Sequence, residues 1–318
     1  MAQQRIETGG VGLSVRVEGD GPLVILMHGW PELGLSWRHQ VPALVAAGYR
    51  VAVPDMRGYG GSDKPAEIEA YRLDVIADDM QGIATTLGAE TWVAVGHDWG
   101  APVAWRCALR FGAAVRGVFA LSVPHSAPPP IPFFDIVEAV YPDRFFYMRY
   151  FQAPGVAEAE FEALDWIASL KRIFYSASGQ GVAEGARRIV PRDSTMLESM
   201  DHPPADPLPF MPDAELAAYA AAFRAGGFSG PLNWYRNFPR NAADAHAYGD
   251  QVVRQPAGFL AGDREVVLAM FPGQLENMRR LCADLRVEVS VPGAGHWVQQ
   301  EAPAAVNAAL VGFLQQLE

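Results

Sequence analysis

The stretch Val93-Ala94-Val95-Gly96-His97-Asp98-Trp99-Gly100-Ala101-Pro102 decides how this 318-residue chain folds. A short apolar run, typical of a strand buried on both faces, leads into Gly-x-Asp-x-Gly and then directly into a helical pattern that extends to Phe111. The two glycines leave room for a sharp turn. This is the nucleophile-elbow pattern, with Asp98 where esterases carry serine, and no Gly-x-Ser-x-Gly occurs in the sequence. A tight turn with Asp98 as a capping residue is the simpler interpretation, but the strand and helix on either side favour the elbow.

Similar apolar runs occur on both sides of this stretch. Strands are predicted at Leu23–Met27, Arg50–Val53, Trp92–Gly96, Val115–Leu121, Ala257–Ala261 and Val287–Val291. Apolar residues at helical spacing, from Ile76 to Leu87, stop at Gly88 and predict a helix between two of these strands. Strands that alternate with helices predict a parallel α/β sheet.

The strand pattern stops after Leu121 and resumes at Ala257. Thirteen of the 25 prolines fall between Phe119 and Asp213, and helices are predicted at Glu158–Ser176 and Asp213–Ala225. We interpret this segment as a helical cap at residues 125–245, inserted into a core formed by residues 1–124 and 246–318.

Further motifs stand at the ends of other predicted strands. His28-Gly29-Trp30-Pro31 follows the first strand, where this architecture supplies an oxyanion-hole donor, so the backbone N–H groups of Trp30 and Trp99 are the predicted pair. His296 lies in a glycine-rich loop after the last strand, where open α/β sheets place their sites. Asp263 and Glu265 follow the strand before it, and either is a candidate acid to orient His296.

Composition excludes several functional classes. The net charge of −11 and the absence of a basic block argue against nucleic-acid binding. The longest uncharged stretch, Gly117–Phe134, contains five prolines and is not expected to span a membrane. Cys107 and Cys282 lack the spacing of a zinc site or a disulfide framework. We therefore expect a cytoplasmic protein with no metal and no cofactor.

These motifs together resemble the α/β-hydrolase-fold epoxide hydrolases of the soluble type, known from bacteria, plants and mammals. The matching segments are His28–Pro31, Asp55–Gly60, Gly96–Gly100, Arg149–Gly155, Gly230–Asn237, Gly262–Leu268 and Gly295–Trp297. The resemblance implies a mostly parallel sheet of about eight strands, flanked by helices and carrying an inserted helical cap. In that family each cap segment supplies a tyrosine that donates to the epoxide oxygen, which here implies Tyr150 and Tyr235. The sequence departs from the family at one position. The loop that supplies the acid has Glu265 where the family usually has aspartate, and Asp263 is the alternative candidate for the acid that orients His296.

The resemblance also implies a reaction. Asp98 would attack a small apolar epoxide to form a covalent ester, which water activated by His296 would hydrolyse to a vicinal diol. The aromatic residues expected around the substrate are Trp99, Phe133, Phe134, Trp234 and Trp297. The alternative is a haloalkane or haloacid dehalogenase on the same scaffold, although halide leaves without needing the two phenols. The sequence leaves open whether the chain is a monomer or a homodimer.

Overall fold

Eight strands form one sheet in the computed structural model, which describes residues 2–163 and 165–318. The strands are β1 Ala2–Thr8, β2 Val11–Glu18, β3 Leu23–Met27, β4 Arg50–Pro54, β5 Trp92–His97, β6 Val115–Leu121, β7 Val253–Gly262 and β8 Cys282–Val291. Their order across the sheet is β1-β2-β4-β3-β5-β6-β7-β8. The pairs β1·β2 and β2·β4 are antiparallel and all others are parallel, so the predicted mostly parallel α/β sheet is confirmed.

Fifteen α-helices accompany the sheet in the described residues. They are α1 Gln40–Ala46, α2 Leu73–Thr86, α3 Gly100–Phe111, α4 Phe133–Val140, α5 Tyr147–Tyr150, α6 Val156–Glu162, α7 Trp166–Ala177, α8 Gly179–Ala183, α9 Asp213–Gly226, α10 Ser229–Tyr235, α11 Phe238–Ala245, α12 Val266–Met270, α13 Gln274–Leu281, α14 Val298–Glu301 and α15 Pro303–Gln315. Short 3-10 helices lie at Gly34–Trp37, Ile68–Tyr71, Gly112–Ala114 and His246–Tyr248. None of the helices in this part of the chain has both the length and the apolar character needed to cross a membrane.

Side chains alternate between the two faces along each strand, and helices cover both faces of the sheet. In β5, Val93 and Val95 pack with α1 and α15 on one face. Trp92 and Ala94 point to the other face and pack with α2 and α3. Burial on both faces explains why the central strands appear in the sequence as continuous apolar runs. The β1–β2 pair was not predicted, and in β1 Ile6 alone joins the core.

The helices α4 to α11 lie between β6 and β7, where the sequence predicts the cap. The boundaries at residues 124/125 and 245/246 stay a prediction. The helix expected over Glu158–Ser176 corresponds to two helices, α6 and α7, and Leu164 of that stretch lies outside the described residues. Helix α7 begins at a capping Asp165, whose side chain accepts a hydrogen bond of 2.9 Å from the N–H of Ala168.

The cap contacts the core beside the turn after β4. The indole N–H of Trp234 in α10 donates to the backbone oxygen of Arg57 at 3.1 Å. Gly58 and Gly230 face each other so closely that a Cβ on Gly230 would lie 3.0 Å from the Cα of Gly58. This close approach of two backbones brings α10, with Tyr235 at its end, over the carboxyl edge of the sheet.

Candidate active site

The turn between β5 and α3 holds Asp98 in an unusual backbone conformation. Its φ angle is 49°, in the left-handed region that residues other than glycine rarely adopt. A Cβ on Gly96 would lie 2.0 Å from the backbone oxygen of Gly100, so no larger residue fits inside this turn. The strand, the strained aspartate and the helix together form the elbow that the sequence predicts.

The carboxylate of Asp98 is held at both oxygens. Its Oδ1 accepts a hydrogen bond of 2.7 Å from the backbone N–H of Trp30, which follows β3. Its Oδ2 lies 3.3 Å from Nε2 of His296. Burial opposes ionisation, but contact with His296 outweighs it and holds the pKa of Asp98 below its ordinary value. Asp98 is therefore a carboxylate, and the N–H of Trp99 as a second oxyanion donor stays a prediction.

His296 stands between two carboxylates. Its Nδ1 lies 2.8 Å from Oε1 of Glu265, and the same oxygen accepts a hydrogen bond of 2.8 Å from the N–H of Val267 at the start of α12. Burial disfavours the imidazolium, but the charges of Glu265 and Asp98 outweigh it and raise the pKa of His296 to about 10. The resting site therefore contains an imidazolium between two anions.

The structure distinguishes the two candidate acids. Glu265 is 4% exposed, and its carboxylate contacts His296. Asp263 is exposed, and its Oδ1 accepts a hydrogen bond of 2.8 Å from the N–H of Gly293. The longer glutamate side chain reaches the imidazole, whereas Asp263 stabilises the loop. The geometry therefore brings Glu265, and not the reserve Asp263, to His296.

Sequence reasoning missed the residues that hold the His296 loop. The backbone oxygen of His296 lies 2.7 Å from Nε2 of the buried His97, whose Nδ1 lies 2.7 Å from Oε2 of Glu32. Glu301 accepts hydrogen bonds from the N–H groups of the two residues that flank His296, at 3.1 and 3.0 Å. The N–H of His296 itself donates to the backbone oxygen of Ala177 in the cap at 2.9 Å. These bonds fix the loop from both the core and the cap. The residues that make them are distant from His296 in the sequence, and no local pattern identified them.

A cavity opens above Asp98 between the core and the cap. It contains about 380 Å³ of space between atoms, part of it open to solvent. Its walls are Trp30, Asp98, Tyr147, Ile173, Ser176, Ala177, Arg187, Met196, Met200, Tyr235, Val266, Val267, Met270, His296 and Trp297. The described part of the chain contains no cluster of side chains suited to hold a metal ion.

Two phenols from the cap face this cavity. Tyr147 begins α5 and Tyr235 ends α10, and their ring centroids are 5.9 Å apart. Burial is the main cause that raises the pKa of each phenol, and the negative charge of Asp98 adds to it. Both phenols therefore keep their protons and are available as hydrogen-bond donors opposite Asp98.

The structure places Tyr150 away from the cavity, at a position that differs from the predicted one. Tyr150 does not line the cavity, and its ring packs against Phe145 and Phe151. Burial, and after it the neighbouring carboxylate of Glu160, raise the pKa of its phenol. Tyr147, three residues earlier, occupies the position that the resemblance implied for Tyr150.

Most aromatic residues predicted around the substrate pack elsewhere. Trp297 lines the cavity, but Phe133 stacks on Phe238 with ring centroids 4.6 Å apart, and Phe134 contacts the same ring. The rings of Trp99 and Trp234 pack against each other at 6.0 Å. Trp99, Phe133, Phe134 and Trp234 pack against aromatic neighbours and are not among the cavity walls given above, so their contact with substrate stays a prediction.

The chain is similar to known proteins over nearly its whole length. A family model for the alpha/beta hydrolase fold matches residues 22–303. Epoxide hydrolase A of Mycobacterium tuberculosis is 39% identical over 99% of this chain and 98% of its own length. The crystal structure of Epoxide Hydrolase A from Mycobacterium thermoresistibile is 41% identical, with a TM-score of 0.93 over 100% of this chain and 99% of that one. An epoxide hydrolase from an endophytic Streptomyces is 36% identical, with a TM-score of 0.94 over 99% and 96% of the two chains.

Proposed function

The chain belongs to the α/β-hydrolase fold family and is an epoxide hydrolase of that family, and from this premise we propose that it works through a covalent ester on Asp98. One observation carries the proposal. An ionised carboxylate on a strained elbow faces two protonated phenols, Tyr147 and Tyr235, across one cavity. A nucleophile on one wall and acids on the opposite wall are what ring opening of an epoxide requires.

The first half-reaction forms the ester. Oδ1 of Asp98 is held by the N–H of Trp30 at 2.7 Å, whereas the contact of Oδ2 with His296 is longer, at 3.3 Å, so Oδ2 is the oxygen that attacks the epoxide carbon. A C–O bond to Oδ2 forms as the ring C–O bond breaks. The nascent alkoxide takes a proton from the phenol of Tyr147 or Tyr235, which hold the epoxide oxygen. A phenol suits this step because an alkoxide is a strong base.

The second half-reaction releases the diol. Esterification removes the negative charge of Asp98, which is one of the causes that raise the pKa of His296. His296 then gives up its proton, which replaces the one lost by the phenol, and becomes a neutral base oriented by Glu265. It takes a proton from a water that attacks the ester carbonyl, and the N–H groups of Trp30 and Trp99 stabilise the resulting oxyanion. Collapse of this intermediate breaks the C–O bond between the ester carbonyl and the product. The departing alkoxide takes the remaining proton of the added water, which leaves the diol, the carboxylate of Asp98 and a protonated His296.

The alternative, a dehalogenase, explains the site less well. Halide leaves as a stable anion and needs no proton, so a dehalogenase mechanism gives no function to the two neutral phenols opposite Asp98. The similar proteins described above are also named as epoxide hydrolases. We propose a small epoxide as substrate, water as the second reactant and a cytoplasmic location, to which the free, buried thiols of Cys107 and Cys282 are suited.

A single turnover in water enriched in ¹⁸O tests the covalent route. With enzyme in excess over styrene oxide, the label should enter the side chain of Asp98, and the first diol should be unlabelled. The His296→Gln variant should accumulate an adduct on the peptide that contains Asp98, visible by mass spectrometry. Label in the first diol would refute the covalent route and favour direct attack of water on the epoxide.

A further inference from the structure

The mechanism leaves one charged wall of the cavity unused. Arg187 follows α8, and its backbone pairs with Met200 in an isolated antiparallel bridge. Its side chain lines the same cavity as Asp98 and Tyr235. The guanidinium carbon lies 5.9 Å from the centroid of the Tyr147 ring. A permanent cation therefore stands beside the phenols that hold the epoxide oxygen.

This cation has no carboxylate partner. Within residues 2–163 and 165–318, the Arg187 side chain makes neither an ion pair nor a hydrogen bond. Arg187 is half-buried, whereas two arginines that are fully buried are paired: Arg57 donates to both oxygens of Asp79 at 2.8 and 2.7 Å, and Arg236 contacts Glu158 at 2.8 Å. An unpaired guanidinium on the wall of a ligand cavity keeps all its N–H donors available to an anionic group. The missing partner is therefore expected to arrive with a ligand.

The charges of the cavity indicate what this partner is. Asp98 and Glu265 are carboxylates and His296 is an imidazolium, which leaves one net negative charge near the nucleophile. Without a further cation, this charge would repel an anionic substrate. Arg187 offsets it, and a guanidinium presents paired donors that match the two oxygens of a carboxylate.

We propose that Arg187 binds a carboxylate of the substrate next to the oxirane ring, so that the enzyme acts on epoxy acids of the glycidate type. The inference rests on the proposed function and narrows its substrate class. The guanidinium carbon lies 5.9 Å from the centroid of the Tyr147 ring, so a carboxylate on Arg187 and an epoxide oxygen on Tyr147 would lie close together in the cavity. The carboxylate therefore belongs on an oxirane carbon or on the next atom. An entirely apolar epoxide, as the sequence predicts, would leave Arg187 unpaired.

The test compares an acid with its neutral isostere. Diol formation is measured on 3-phenylglycidate and 3-phenylglycidamide, with styrene oxide as a plain epoxide, for wild type, Arg187→Met, Arg187→Lys and Arg188→Met. Arg188 is the matched control, because it is an exposed neighbour that pairs with Asp201 at 3.0 Å. The wild type should prefer the acid over the amide. Arg187→Met should lower kcat/KM for the acid by about ten- to a hundredfold, mainly through KM, and change the amide less than about threefold.

A second measurement does not depend on turnover. Competitive inhibition by 3-phenylpropanoate should weaken about tenfold or more in Arg187→Met and less in Arg187→Lys, while inhibition by 3-phenylpropanamide stays constant. The Arg188→Met variant should match the wild type throughout. Equal losses on acid and amide, or no preference for the acid in the wild type, would overturn the inference and leave the proposed function intact. Absence of diol from all three epoxides would overturn both.

Discussion

Replacing Tyr147 with phenylalanine should slow opening of the epoxide by about ten- to a hundredfold. Tyr147 and Tyr235 are the two phenols on the cavity wall opposite Asp98, and burial keeps both protonated. A hydrogen bond to a group that becomes charged contributes about 1.5–3 kcal/mol, and each 1.4 kcal/mol is a factor of ten. Because Tyr235 still donates to the epoxide oxygen, the decrease in rate should correspond to the loss of one hydrogen-bond donor.

The matched control is Tyr150→Phe, which removes the same hydroxyl one helical turn away. Tyr150 does not line the cavity, so its loss should change the rate less than about threefold. Stopped-flow fluorescence in a single turnover measures the alkylation step, because Trp30 and Trp99 lie beside Asp98. Equal losses in both variants, or a larger loss in Tyr150→Phe, would refute the assignment of Tyr147 as the donor.

Three further outcomes are expected. Glu265→Gln should lower turnover by about 10²- to 10⁴-fold and let the ester accumulate. The turnover of Asp263→Asn should stay within about threefold of the wild type. Similar losses of turnover for the two variants in diol assays would contradict the choice of Glu265 as the acid. Because the carboxylates raise the pKa of His296 to about 10, above an unfolded value of about 6.5, its contribution to stability is complete below pH 6.5 and is lost as the pH rises to 10. Urea unfolding at pH 6, 8 and 10 should show a decline that is smaller in His296→Gln, and equal declines would contradict this coupling. Gly96→Ala should prevent folding, since the new Cβ would lie 2.0 Å from a backbone oxygen, whereas Gly312→Ala on α15 should raise the free energy of unfolding by about 0.5–1 kcal/mol in thermal melts.

Much of the fold was predictable from local patterns. The six predicted strands all occur, and the two that end at Met27 and Leu121 match their observed bounds. Central strands are buried on both faces, so their apolar runs are continuous and easy to recognise. The β1–β2 pair was missed because an edge pair that is half exposed has a weaker apolar signal.

The site was predictable only in part. Asp98 and His296 follow strands and stand among glycines, which is a pattern that sequence alone displays. The predicted Tyr150 and the observed Tyr147 lie three residues apart on the single turn of α5. Residues at that spacing lie about 60° apart around a helix, so no local pattern decides which one faces the cavity. Tertiary packing decides which one, because the ring of Tyr150 packs against Phe145 and Phe151 whereas Tyr147 lines the cavity.

The amino-acid sequence by itself determined the parallel sheet, the elbow at Asp98 and the placement of His296 after the last strand. These features depend on backbone sterics and on the period of apolar residues, which act within a few positions of the chain. Tertiary structure alone decided that Tyr147 faces the cavity, that Glu265 reaches His296, and that Arg187 stands there without a partner. The contact between Glu265 and His296 depends on how two loops of the core meet, and the other two facts depend on how the cap packs on the core. In both cases each side chain takes the space that neighbours distant in the sequence leave.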